Sequence, residues 1–352
     1  MRKQRKLQSG IFLLAAIFFV GCQTRGTLTE EVKKVQKKER SVNYRDIAVP
    51  EEGGIKFTKF TDESEDVMGP WIRSDEGIIS WWTPSLIAIS PDGSKVAYTA
   101  ERDGKTNIFI KNTQGGRSTI QRTFRENVVD MAYSPDGKLI IFTERVDDDY
   151  NILQINATEG AAIQQISSTS ARESGPIYAP NGKQIYYTQA EYVSNLSDYR
   201  YYLWSIDRNS SLKTQYSEGF NPAISPSNPN LVVVCRNNRA TGKGEIFSIN
   251  LQSGQETLIL SNPDMGFSSP QISPDGKLLL FVGTTLGSSK RKENLDIYTI
   301  RMDGTKLTQL TFHPGHDVSP MWSPEGDKIY MLCQRGNIDG AWDVWKIDYE
   351  AK

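Results

Sequence analysis

The chain has 352 residues, of which 38% are hydrophobic and 24% are charged, so it is long enough to bury a core of its own. Its 41 basic and 42 acidic residues nearly cancel, and this balance gives no overall attraction to nucleic acid. It contains two histidines in all, too few for a histidine-rich metal site.

The N-terminus combines a basic head with an apolar run of ten residues, Ile11–Val20, and the junction Gly21-Cys22. This order is typical of a secretory signal, and the run is too short to cross a bilayer as a helix. Because a cysteine directly follows the small residue, the segment resembles a bacterial lipoprotein signal, in which that cysteine carries the lipid. We therefore predict a signal over residues 1–21 and lipid modification of Cys22. An ordinary export signal with an incidental cysteine is the alternative.

Residues 22–54 are polar and densely charged, with very few large apolar side chains. Such a segment cannot bury a core, and we predict that it is a tether between the lipid and a folded body.

From residue 90 onward, one turn sequence recurs six times, with its prolines 44, 45, 46, 48 and 50 residues apart. The copies are Ser90–Ser94, Ser134–Lys138, Ala179–Lys183, Ser225–Pro229, Ser273–Lys277 and Ser323–Tyr330. Proline, Asp or Asn, and glycine together favour a tight reversal between strands. A period in the forties with several short apolar runs indicates an all-β, six-bladed β-propeller with four-stranded antiparallel blades, and we place it over residues 55–349.

The sixth copy supplies only three strands before the chain ends at Lys352. Ile55–Thr61 matches the fourth-strand pattern of Lys306–Thr311, so we expect the N-terminal run to complete the last blade and leave no open edge in the ring. Cys235 and Cys333 fall in the second strands of blades four and six. These blades are not adjacent, so both cysteines should be buried free thiols.

Strand parity assigns the loops to two faces. The face that carries the repeated turn has short connections throughout, whereas the other face has long ones. The long connections are Glu191–Arg200, Arg236–Gly244, Gly283–Asn294 and Arg335–Trp342. Binding residues concentrate in such loops, so the second face is the predicted interaction surface.

Candidate partner-binding residues on that face are basic or aromatic. They are Arg236, Arg239, Lys290, Arg291 and Lys292 in the loops, and Trp71, Trp81 and Trp82 in a segment before blade one. Tryptophan is enriched at interfaces. Solvated charged loops, and tryptophans packed against the sides of the blades, are the alternatives.

The six copies, best seen in Leu310–Gly326, resemble the repeat of the TolB-type propeller. That resemblance implies a periplasmic, non-catalytic protein that works with a peptidoglycan-associated lipoprotein. TolB proteins carry an α/β domain ahead of the propeller, and here we expect the short tether instead.

The same repeat occurs in propellers of prolyl-oligopeptidase-type hydrolases and of metal-dependent pectate-fragment lyases. A nucleophile elbow is absent, because Gly266–Pro270 lacks the closing glycine. His313 and His316 would need carboxylates such as Asp317 to form a metal site; otherwise they only shape the loop into blade six. We therefore expect no catalytic residue, metal or cofactor.

The sequence thus predicts a monomeric, non-enzymatic protein held by lipid at the periplasmic face of the outer membrane. Its propeller face would bind an envelope protein or a cell-wall component, and nucleic acid is not an expected partner. The alternative is a hydrolase or lyase acting on an oligosaccharide in the central channel.

Overall fold

The computed structural model describes residues 51–350 except 53, 63–64, 70–84, 103, 116–117, 125–126, 147–148, 159, 161, 168, 170, 196–197, 286–293 and 336–340. The described residues form 25 β-strands and no helix. Isoleucine, valine, tyrosine and threonine dominate the buried strands, as expected for side chains that pack on a pleated surface.

The strands in chain order are β1 (Glu51–Glu52), β2 (Ile55–Lys59), β3 (Ile87–Ile89), β4 (Lys95–Arg102), β5 (Lys105–Asn112), β6 (Thr119–Gln121), β7 (Val128–Tyr133), β8 (Leu139–Val146), β9 (Asp149–Asn156), β10 (Ile163–Ser167), β11 (Arg172–Tyr178), β12 (Gln184–Val193), β13 (Asp198–Asp207), β14 (Lys213–Glu218), β15 (Phe220–Ile224), β16 (Leu231–Asn237), β17 (Gly244–Asn250), β18 (Glu256–Leu260), β19 (Phe267–Ile272), β20 (Leu278–Thr285), β21 (Asn294–Arg301), β22 (Thr308–Gln309), β23 (Asp317–Trp322), β24 (Lys328–Cys333) and β25 (Asp343–Asp348).

These strands form six antiparallel sheets, which confirms the predicted six-bladed propeller. Blades 1 to 5 are β3–β6, β7–β10, β11–β14, β15–β18 and β19–β22, each in chain order. Blade 6 consists of β23, β24 and β25 followed by β2 and β1. The first strands of successive blades contact one another, and β23 contacts β3, so the first strands line the centre of a closed ring.

The repeated turn is held by its own side chains. In blade 1 the Ser90 hydroxyl donates to Asp92 Oδ1 (2.6 Å) and accepts the N–H of Lys95 (2.9 Å), while Gly93 has a φ of +66°. Hydrogen bonds from Ser90 and Ser94 lower the pKa of Asp92 to about 2. Glycine adopts this left-handed conformation without steric cost, so the turn forms from local chemistry alone.

The turns of neighbouring blades lie against each other. A Cβ atom added to Gly137 would lie 3.4 Å from Cδ of Pro91 in the preceding blade. One added to Gly93 would lie 3.6 Å from Cδ of Pro324 in blade 6. The turns therefore gather on one face, called here the first face. The second face carries the connections from second to third strands and from fourth strands to the next blade.

The N-terminal strand completes the last blade, as predicted. β2 pairs with β25 in antiparallel register, with Phe57 opposite Ile347 and Lys59 opposite Trp345. Phe57 is buried in the core that joins blades 5, 6 and 1. The two-residue strand β1, which the sequence did not predict, pairs with the outer edge of β2.

A hydroxyl contact shows that β2 occupies the place of an ordinary fourth strand. Thr61 Oγ1 donates to Asp343 Oδ1 (2.8 Å) and accepts the N–H of Val344 (3.0 Å). In blade 5, Thr311 makes the same two contacts, donating to Asp296 (3.2 Å) and accepting the N–H of the next residue (2.9 Å). Thr61 is therefore the structural counterpart of Thr311, in agreement with the sequence match between Ile55–Thr61 and Lys306–Thr311.

After β2, the chain crosses from blade 6 to blade 1 on the second face. Val67 forms β-bridges with both Trp342 and Ala100. Lys111 of blade 1 lies 2.9 Å from Asp62 and 3.2 Å from Glu65, which ties the crossing segment to blade 1. The N-terminal segment thus joins the last and first blades a second time.

The core lies between the blades, where second and third strands of neighbouring sheets pack together. One cluster, for example, joins Val233 and Ile246 of blade 4 with Phe281 of blade 5. Within blade 5, Phe281 contacts Phe267 edge-on (5.5 Å between ring centroids) and stacks on Tyr298 (5.9 Å). Cys235 and Cys333 are buried free thiols in β16 and β24, as predicted. Burial raises the pKa of both thiols, which keeps them protonated.

Candidate functional site

The central channel is narrowed by a repeated bulge. In four first strands, a residue with positive φ precedes a proline, and the register shifts there. The residues with positive φ are Gly175, Asn221, Ser269 and Ser319, with φ of 60°, 49°, 50° and 50°. The bulge would leave a backbone N–H unpaired, and proline has none to lose. At this level the channel keeps a cavity of only about 10 Å³, which is room for about one water molecule.

Asp130 occupies the equivalent place in blade 2 and is 1% exposed. Its Oδ1 accepts the N–H of Ser85 in blade 1 (2.9 Å), and its Oδ2 accepts the N–H of Gly175 in blade 3 (3.0 Å). Burial raises the pKa of this carboxyl group to about 6, although the two N–H donors oppose that change. Asp130 therefore links three blades.

This pKa predicts a stability that falls as the pH rises. Between the ordinary value of 3.8 and about 6, the folded state retains a proton that the unfolded state has released. Relative to Asp130→Asn, the wild-type protein should therefore lose about 3 kcal/mol of unfolding free energy between pH 4 and pH 7. Urea unfolding of both proteins at the two pH values measures this. A gain by the wild type would mean that the two N–H donors outweigh burial.

The second face exposes large apolar side chains beside its loops. These are Phe124, Val146, Tyr192, Tyr201 and Phe312, all at least 38% exposed. One predicted loop is shorter than expected: Glu191–Val193 and Asp198–Arg200 belong to strands β12 and β13. The hairpin extends because Tyr192 and Tyr199 pair across the strands, with ring centroids 5.3 Å apart.

A cleft opens on this face between blades 3 and 4. Its volume is about 810 Å³. One wall is the β13 end of the hairpin, with Tyr199 and Tyr201; the other wall is the loop that follows β16, with Asn238 and Arg239. Tyr201 packs edge-on against Phe220 at the base (5.9 Å between ring centroids). We call this cleft the blade 3–4 cleft.

Arginines and carboxylates alternate along the blade 3–4 cleft. Glu218 lies 3.6 Å from Arg200 and 3.1 Å from Arg239. Arg236 lies 2.9 Å from Glu256, and its guanidinium lies 4.4 Å from the ring centroid of Phe247. The pair with Arg236 lowers the pKa of Glu256, so this carboxylate stays charged at neutral pH.

Two of the predicted partner-binding residues, Arg236 and Arg239, therefore lie together in this cleft. The remaining predicted residues fall outside the described part of the chain. They are Cys22, Trp71, Trp81, Trp82, Lys290, Arg291 and Lys292. The tyrosines of the cleft were not predicted, although their alternation in Tyr199-Arg200-Tyr201 signals a strand with one aromatic side.

The two histidines shape the connection from β22 to β23. His313 Nδ1 accepts the N–H of Gly315 (2.9 Å), and His316 Nδ1 accepts the N–H of Leu295 (3.2 Å). Burial lowers the pKa of His316 to about 4, so the ring is neutral at physiological pH. Within the described ranges, no group of three or more His, Cys, Asp or Glu side chains is placed to hold a metal ion.

A family model described as the TolB beta propeller domain matches residues 24–290 and 192–350. The first match alone covers more than half of the 352 residues. The chain belongs to the TolB β-propeller family.

The curated relatives that match this TolB-family chain include two with different descriptions. It is 25% identical over 218 residues to "uncharacterized peptidase YuxL" of Bacillus subtilis (strain 168), covering 59% of this chain and 31% of the relative. It is 24% identical over 252 residues to "Tol-Pal system protein TolB" of Francisella tularensis subsp. mediasiatica (strain FSC147), covering 69% of this chain and 54% of the relative. The chain thus spans about a third and about half of their lengths.

Among solved structures, oligogalacturonate lyase from Vibrio parahaemolyticus is similar, with a TM-score of 0.58 and 11% identity. The match covers 86% of this chain and 96% of the lyase. At this identity the similarity establishes the fold alone. The part of the TolB-family chain that the structure describes contains no helix of the length and apolarity needed to cross a membrane.

Proposed function

We propose that this TolB-family propeller is a non-catalytic binding protein of the cell envelope that holds a protein partner on its second face. The main support is the set of exposed apolar side chains on that face: Phe124, Val146, Tyr192, Tyr201 and Phe312. Exposed aromatic side chains are enriched at interface hot spots, and Tyr201 lies beside arginines in the blade 3–4 cleft. A partner that covers them would remove this apolar surface from water.

The envelope location rests on the relative from the Tol-Pal system and on the N-terminal sequence. In this proposal, residues 1–21 are a signal, Cys22 carries a lipid, and residues 22–54 form the tether to a propeller over residues 55–349. The periplasmic face of the outer membrane is the proposed site of attachment. Cys22→Ser should then leave the membrane fraction or remain an unprocessed precursor.

Matched substitutions on the two faces test the binding role. We expect the double substitution Phe124→Glu with Phe312→Glu to reduce recovery of the crosslinked partner from envelopes at least about tenfold. The reason is that each glutamate would place an unpaired charge in the interface with the partner. The control is Leu212→Glu with Leu307→Glu, which changes equally exposed apolar side chains on the first face. Both proteins should retain the wild-type melting temperature.

The rival function is a hydrolase or lyase that acts on an oligosaccharide in the channel. It would tolerate both double substitutions and would cleave pectate or cell-wall fragments as a purified protein. Partner recovery that is unchanged in the second-face variant, together with such cleavage, would overturn the binding role.

A further inference from the structure

The blade 3–4 cleft contains a strand edge without a neighbouring strand. β14 ends at Glu218, opposite Tyr202 of β13. Beyond that point Gly219 donates its N–H to the Tyr201 carbonyl (2.7 Å) and the chain turns away into blade 4. In the described part of the chain, Asp198–Arg200 therefore pair with β12 on one side only. An edge of this kind is a template for another strand.

A side chain of the same strand satisfies a backbone N–H group of this edge. The Tyr199 N–H donates to the carboxylate of Asp198 at 2.7 Å. A side-chain acceptor in this place blunts the edge in the free protein, and a backbone carbonyl from a partner strand can replace it. The Arg172 guanidinium lies 4.8 Å from the ring centroid of Tyr199, a cation–π contact that stabilises this end of β13.

The charges beside this edge favour an acidic occupant. The lining contains three guanidinium groups, from Arg200, Arg236 and Arg239, against the carboxylates of Asp198 and Glu218, while Glu256 outside the lining pairs with Arg236. The Arg239 side chain is 70% exposed, so it can turn toward an incoming carboxylate. Among the residues that the structure describes, Nη2 of Arg236 is buried and has no hydrogen-bond partner. Such a donor gains most from an added acceptor.

We propose that an extended, acidic segment of the partner protein adds as a strand to β13 beside Asp198–Arg200. Its backbone would pair with the free edge, and its carboxylates would contact Arg200, Arg236 and Arg239. Backbone groups along a strand repeat every 3.3–3.4 Å per residue, a spacing that matches a peptide and not a sugar chain. This inference rests on the proposed binding function and assigns one part of the interface.

Site-specific photocrosslinking of the full-length protein in cells tests the assignment. A benzophenone amino acid replaces Tyr201 or Ala240 at the two walls of the cleft, Phe124 or Phe312 elsewhere on the second face, and Leu212 on the first face. We expect the cleft positions to crosslink one partner segment rich in Asp and Glu. Leu212 should give no crosslink to that partner.

A synthetic peptide of the crosslinked segment then tests both parts of the contact. Arg239→Glu should weaken its binding about tenfold, whereas the charge-matched first-face control Lys277→Glu should not. N-methylation of alternate residues should abolish binding in one of the two registers, because it removes backbone donors from the edge.

The outcomes separate the two proposals. Crosslinks from Phe124 or Phe312 but none from the cleft would overturn the strand assignment and leave the binding function standing. Crosslinks from no second-face position would overturn both. A cleft segment that lacks acidic residues, or whose N-methylated forms all bind as tightly as the parent peptide, would also overturn the strand assignment.

Discussion

Deletion of Ile55–Thr61 should destabilise the whole propeller by at least about 5 kcal/mol, enough to unfold it near 37 °C. The deletion removes the buried ring of Phe57 and the ladder with β25. It also leaves Asp343 buried without Thr61 and Lys59, which lie 2.8 Å from its two carboxylate oxygens. Loss of an ion-pair partner and a hydroxyl donor from a buried carboxylate is costly in itself.

The matched control is deletion of Gln23–Tyr44, which should leave the melting temperature within about 2 °C of the full-length protein because that stretch cannot bury a core. The substitution Thr61→Val should leave the protein folded, with a loss of stability between those of the two deletions. It removes only the hydroxyl shared by Asp343 and Val344, and we expect a loss of about 1 to 3 kcal/mol. Equal melting temperatures for the two deletions, measured by circular dichroism, would contradict the role assigned to β2.

Arg335→Met should cost about 3 to 5 kcal/mol of unfolding free energy. The Arg335 and Asp317 side chains are 1% and 0% exposed and form two hydrogen bonds, of 2.6 and 3.3 Å. The guanidinium also lies 3.7 Å from the ring centroid of Phe57 in the closing strand. Methionine fills similar space but leaves the Asp317 carboxylate buried without its partner.

The surface pair Lys277 and Asp275 provides the comparison, because its side chains are 79% and 53% exposed. Lys277→Met should change the unfolding free energy by less than about 0.5 kcal/mol. Adding Asp317→Asn to Arg335→Met should recover part of the loss, since no charge then remains buried. Urea unfolding measures all three proteins, and equal shifts for Arg335→Met and Lys277→Met would refute the explanation.

The framework was predictable because it follows from local chemistry repeated in phase. The turn of blade 1 is fixed by a serine, a proline, an aspartate and a glycine within five residues, and most of the other copies keep this pattern. The period follows from four strands per blade. The closing strand was predictable for the same reason, since Thr61 repeats the role of Thr311.

The cleft and the channel were not predictable in the same way. Arg236 and Arg239 were selected for charge, but only the fold brings them opposite Tyr199 and Tyr201. Asp130 occurs once, so no repeat identifies it; its environment comes from blades 1 and 3. The sequence predicts a loop over Glu191–Arg200 because this stretch is rich in charged residues. The structure instead extends β12 and β13 into it, as the alternating tyrosines indicate.

Because β2 pairs with the last strand of the chain, the ring can close only after the last blade has been synthesised. Thr61 and its partner Asp343 are 282 residues apart in the chain. A ribosome that adds about 5 to 20 residues per second reaches Asp343 about 14 to 56 s after it has added Thr61. Throughout that interval the strand with Phe57 has no sheet to join, and the nascent polypeptide carries an unpaired apolar segment at its leading end. A holding chaperone that recognises such segments would therefore act on this chain from its first hundred residues until the last blade emerges.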